Sequence, residues 1–172
     1  MSGLFIAMGY IMPFFTMQIP AIGSMLCPMH IPILFCGFLC GAPYGVIVGF
    51  VTPLMRSAIA GMPPFYPTAL AMAFELAAYG FLAGVFYKKL PKKSLFIYVD
   101  LILAMIGGRI VWGIVSLLLY GIKGNAFTMA IFLNGAIINA IPGIIIQIIL
   151  IPVIIIALQR ANLIHTDLNR WN

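Results

Sequence analysis

The chain has 172 residues, of which 64% are hydrophobic and 7% charged; a soluble domain carries about 25% charged residues, so a soluble globular protein is excluded. Disorder is excluded as well, because disordered segments are poor in the apolar and aromatic residues that abound here. The net charge of +6 does not indicate nucleic-acid binding: the first charged residue is Arg56, and four of the nine basic residues cluster in Lys88-Lys89-Leu90-Pro91-Lys92-Lys93 between two apolar runs. An integral membrane protein remains. At about 20 residues per span the length holds about five to seven helices and leaves no room for a soluble catalytic domain. Lipid-exposed backbone must satisfy its own hydrogen bonds, and the runs are too long and too evenly apolar for barrel strands. The expected fold class is an all-α integral membrane protein, with residues 1–172 as a single six-helix domain.

The first apolar stretch, Gly3 to about Met17, lacks the charged leading segment of a signal peptide and is expected to be a retained span bent at Pro13. Gln18 to Met29 holds two prolines, a glycine and a serine and reads as a loop. A run of 11 residues, His30 to Cys40, ends at Gly41-Ala42-Pro43. It is too short to cross alone, so tilting or extension by the preceding loop is expected. Tyr44 to about Ala60 forms a third span, followed by the irregular Gly61-Met62-Pro63-Pro64-Phe65-Tyr66-Pro67. Thr68 to Tyr87 is the fourth and, after the basic loop, Ser94 to about Tyr120 the fifth. Gly121 to Asn125 makes a polar turn, and a final run extends from Ala126 to about Leu158 with Pro142 and Pro152 inside it.

Orientation follows from the lysines. Cytoplasmic loops are enriched in Lys and Arg. With the basic loop inside, counting six spans puts both termini inside too, along with Arg160 and Arg170. Only Lys123 then lies in an outer loop. The outer face carries the loops Gln18–Met29, Gly61–Pro67 and Gly121–Asn125.

Ionisable residues at membrane depth are costly and usually functional. Arg56, Glu75 and Arg109 qualify; the remaining charges outside the cytoplasmic set add little. Glu75 and Arg109 lie about 12 and 16 Å below the outer ends of their helices, with Arg56 shallower. Asn134 and Asn139 of the last run come at about 12 and 20 Å. The five converge on the outer half, as a cavity opening outward requires. Each also has a plain reading: an ion pair joining two helices, a snorkelling arginine, or interhelical hydrogen-bond glue. Tyr120 also fits an interfacial aromatic belt, whereas Trp112 lies too deep for one and is a candidate substrate contact; Gly107-Gly108 permits close helix approach beside Arg109. The two arginines against Glu75 leave one surplus positive charge, which a small carboxylate bound by a guanidinium would neutralise. Phe65 and Tyr66 are candidate aromatic walls, and Gln18–Met29 a candidate lid. His30 and Tyr79 complete the candidate substrate contacts.

No HExxH, GxxxxGK[ST] or GxSxG motif occurs, and Glu75 has no second carboxylate beside it in the sequence. Neither an enzyme nor a cofactor or metal site is expected. Cys36 and Cys40 read as small hydrophobes. No inverted repeat of the kind common in secondary transporters is seen.

The chain resembles the substrate-binding S components of energy-coupling factor (ECF) vitamin transporters. The resemblance rests on size, six spans, His30-Ile31-Pro32, Gly41-Ala42-Pro43-Tyr44-Gly45 through Gly49, and Pro53-Leu54-Met55-Arg56-Ser57. It continues through Gly61 to Ala69, Met72 to Gly80, and Gly107-Gly108-Arg109. It implies a high-affinity binding subunit in the plasma membrane of a Gram-positive bacterium. Such a subunit would work with a transmembrane T subunit and two cytosolic ATPases and would topple in the membrane to release substrate. It also implies a small-xxx-small contact with the T subunit on the first helix, here Gly3 and Ala7, with glycine in place of the usual alanine. Among vitamins the pantothenate type is the leading expectation. Pyridoxine or hydroxymethylpyrimidine is the near alternative, and a structural or regulatory membrane protein without a ligand is the alternative of another class.

Overall fold

A computed structural model describes residues 2–16, 28–91, 94–122, 128 and 132–161. Within them lie the helices α1 (Ser2–Ile11), α2 (His30–Cys40), α3 (Ala42–Ala60), α4 (Leu70–Lys89), α5 (Ser94–Ile122) and α6 (Ile141–Arg160). Among the described residues four stretches are long and apolar enough to cross a membrane: Ala42–Ala60, Phe65–Lys89, Ser94–Gly121 and Ile141–Arg160. Ser2–Phe14 and His30–Cys40 are shorter apolar helices, so length and composition support four of the six expected spans. The proposed lid, Gln18–Met29, lies outside the described residues except for Pro28 and Met29, as do Lys123 to Phe127.

The helix boundaries follow from proline and glycine. Pro13 lacks an amide N–H and cannot continue an α-helical ladder, and the chain tightens there into a turn of 3₁₀-helix, Met12–Thr16. Gly41 ends α2 and starts α3 at once, with φ +89° and its N–H donated to the Gly37 carbonyl at 3.1 Å; a side chain rarely adopts that φ. Gly61 closes α3 in the left-handed conformation, φ +68°. Phe65–Ala69 then winds as a wide turn, broken at Tyr66 where the backbone is extended, before running into α4.

The short α2 is a central core helix: every residue from His30 to Phe38 is buried, among α1, α3, α4 and α6. A helix apolar on all sides belongs inside. The last apolar run is not one helix. A wide turn at Asn134–Ile138 and a turn at Asn139–Ala140 precede α6, which starts at Ile141. Pro142 is tolerated in that first turn, where its missing N–H has no helical partner to lose, whereas it would break a helix running through from Ala126.

The tightest packing is backbone on backbone. α3 packs most extensively on α4, and α4 on α5. A Cβ placed on Gly45 would meet the Gly80 carbonyl, and one on Gly49 the Leu76 carbonyl. On the side of α4 facing α5, the Tyr79 ring fills the space left by Gly108, and Leu82 that left by Gly107. Exposed Ile102, Ile106, Ile110 and Ile114 on α5, with Ile145 and Ile149 on α6, form the outward apolar surface.

Gly49→Ala should therefore destabilise the protein by about 1–3 kcal/mol through overpacking against immovable backbone. Gly3→Ala, where an added Cβ meets nothing, should be silent. Thermal unfolding of the two variants in detergent measures both.

Candidate functional site

Glu75 and Tyr79 are one helical turn apart on α4 and therefore share a face; both are buried. From α5, Arg109 Nη1 approaches Glu75 Oε1 at 3.0 Å. From the first residue of α2, His30 Nε2 lies 3.5 Å from the same oxygen. The His30 ring stands edge-on to Tyr79, centroids 5.1 Å apart. Three helices thus meet at one carboxylate oxygen. Because an ionised carboxylate only accepts hydrogen bonds, its approach selects the imidazole form with a proton on Nε2. His30 Nδ1 is buried without a hydrogen-bond partner among the described residues.

The pair is asymmetric. The Glu75 side chain is 2% exposed and the Arg109 side chain 16%. Glu75 compensates the Arg109 charge and restrains its orientation. The planar guanidinium has five N–H donors in a fork that suits a planar acceptor such as a carboxylate.

Arg56 is not brought into this cluster. Its guanidinium is buried at the far end of α3, where Nη1 donates to the Tyr10 carbonyl at 3.2 Å and Cζ lies 5.7 Å from the centre of the Phe14 ring. With Gly49 against Leu76, Arg56 sits about 9 Å farther along the helix axis than Glu75. The surplus positive charge is thus held by a carbonyl and a ring, and is not pooled with Arg109.

The other candidates divide. Trp112, one turn beyond Arg109, stacks on Phe132 with centroids 6.0 Å apart and lies against Gly135, where a Cβ would come 2.8 Å from the indole. Asn134 and Asn139 are exposed in the break before α6 and join neither Glu75 nor Arg109. Phe65 is exposed. Tyr66 acts as a strut, its hydroxyl donating to the Leu119 carbonyl at 2.6 Å; Ser57 Oγ donates to the Pro63 carbonyl at 2.7 Å and anchors the same rim to α3. Gly3 and Ala7 are both exposed on α1.

Sequence reasoning overlooked Asp100, which is 1% exposed, with neither carboxylate oxygen hydrogen-bonded among the described residues. Its signal was present: an aspartate seven residues into the apolar run that starts at Ser94 meets the same depth criterion as Glu75. Nearby, Gln159 Nε2 donates to the Tyr87 hydroxyl at 2.8 Å, linking α6 to α4.

Glu75→Ala should cost about 3–5 kcal/mol, because it strands a largely buried guanidinium. Adding Arg109→Ala should recover part of that loss. A double-mutant cycle by thermal unfolding reads the coupling directly, and strict additivity would refute the pairing.

A family model for the substrate-specific component of ECF transporters matches residues 1–155. Comparisons with curated proteins and with solved structures give no match. Components of this kind are binding subunits for transport of a small molecule, in a module that also contains T and ATPase subunits. A helical chain with apolar helices of crossing length agrees with such a multi-pass membrane subunit. On the match over residues 1–155, the chain belongs to the family of ECF transporter substrate-specific components.

Proposed function

We propose that the protein captures an acidic, water-soluble vitamin on the outer side of the membrane, with pantothenate the leading substrate and Arg109 the group that holds its carboxylate. The observation that carries this reading is the asymmetry of the buried pair: the cation keeps some exposure while its carboxylate partner is almost fully buried. An entering anion gains charge-assisted hydrogen bonds from a guanidinium already held in place, and the ordering cost of that side chain falls on folding, before the ligand arrives. Trp112 supplies an aromatic wall one turn away. His30 lies against the same Glu75 oxygen, with Tyr79 edge-on to its ring. A substrate that needs Glu75 itself, such as pyridoxine or hydroxymethylpyrimidine, would compete with Arg109 and His30 for a carboxylate already engaged.

The excess of basic residues at Lys88 to Lys93 supports a topology with that loop and both termini in the cytoplasm. The open small-residue face of α1 at Gly3 and Ala7 suits close approach by a helix of the T subunit. Energy for release would come from the ATPase subunits.

Calorimetric titration of the purified protein with pantothenate, pyridoxine and hydroxymethylpyrimidine tests the substrate. Pantothenate should bind most tightly. Arg109→Lys, which keeps a charge beside Glu75 but loses the fork, should weaken it by about 10–100-fold, the worth of a charged hydrogen bond. Tight binding of pyridoxine with none of pantothenate would move the contact to Glu75, and no binding of any vitamin would leave a purely structural role.

A further inference from the structure

We propose that Asp100 forms, at the lysine-bearing end of the bundle, a docking site for a basic side chain of a partner subunit in the transport module, best an arginine. The proposal rests on the family assignment and on the topology proposed above, but its site is separate from that of the vitamin: Tyr87, which lines it, lies about 18 Å along α4 from Glu75. Asp100 sits about 9 Å into α5 from Ser94. Its side chain lines a narrow, closed crevice together with Tyr87, Leu90, Pro91, Phe96 and Ile97.

The charges elsewhere define what is missing. Glu75 has Arg109 and His30, and Arg56 has the Tyr10 carbonyl and the Phe14 ring. Asp100 is as deeply buried as Glu75, yet both its oxygens lack a hydrogen-bond partner among the described residues. A buried carboxylate without a counter-charge costs several kcal/mol, and an acceptor-only group is satisfied by donors alone. The crevice's own polar neighbour, the Tyr87 hydroxyl, accepts a hydrogen bond from Gln159 and carries no charge, and Lys88 and Lys89 are exposed.

The cleft chemistry selects the occupant. A guanidinium matches a carboxylate in a bidentate manner and gives up its hydration more readily than an ammonium. Tyr87 and Phe96 offer aromatic faces of the kind on which it stacks. The cleft must widen to admit it, and the wall formed by Leu90 and Pro91, just beyond the end of α4, is the part not held within a helix. The exposed lysines repel a basic partner only weakly beyond about 8 Å in physiological salt, whereas a contact inside the cleft is hardly screened.

Asp100→Asn tests this in the complete transporter, co-expressed with its T and ATPase subunits and purified through a tag on the ATPase. The variant should be retained at least about tenfold less than the wild type. The isolated variant should melt no lower than the wild type and bind pantothenate equally well. Asp100→Ser gives the same reading if the asparagine variant does not fold. Wild-type retention would overturn the proposal, and so would a lower melting temperature of the isolated variant, which would place the counter-charge within the chain. Failure of pantothenate binding in the wild type would refute the substrate assignment and leave the retention measurement valid.

Discussion

Between α3 and α4 the backbones touch without intervening side chains, Gly45 against Gly80 and Gly49 against Leu76. In lipid no hydrophobic force pulls helices together, so association depends on close packing of small residues and on interhelical polar contacts. The glycines supply the first, and they fix the second. With Leu76 held against Gly49, neighbouring Glu75 has no freedom to slide along the helix axis. Tyr79, one turn on, fits the space left by Gly108, and the next residue of α5 is Arg109. The heights of carboxylate and guanidinium are thus set by contacts that carry no charge.

That frame explains how so apolar a chain tolerates buried charge. Glu75 gathers donors from α2 and α5, joining three helices through a single oxygen. Arg56 donates to the Tyr10 carbonyl beside the Phe14 ring, so its charge is held by groups of the first helix and the turn after it. Asp100 lacks such provision among the described residues. The first two arrangements build the fold and the proposed binding site, and the third faces the end of the bundle where partner subunits are expected.

Much of the fold was legible from residue order. Pro13, Gly41-Ala42-Pro43, Gly61 and the lysine loop mark helix ends because their backbone chemistry acts locally, and the structure places boundaries within a few residues of them. The second helix was legible in extent but not in role, because eleven apolar residues look the same whether they face lipid or protein. The last run misled for a related reason: uniform hydrophobicity conceals a break, and Pro142 marks a helix start as readily as an interruption. Within the site, Glu75 and Arg109 stood out because charge at membrane depth is costly wherever it sits. Arg56 shared that signal, and depth along a helix says nothing about which side of the bundle a residue occupies.

Composition and local backbone chemistry, read without coordinates, determined that this is a helical membrane protein, where its helices end, and which few charged residues must be explained. Only the tertiary structure decided that α2 is central, that Glu75 belongs to Arg109 and His30 while Arg56 belongs to α1, and that Asp100 is buried without a partner among the described residues. The division has a physical cause. Hydrophobicity and proline or glycine geometry act over one helical turn, whereas pairing between charges depends on the register of helices whose contacts are made by glycines far apart in sequence.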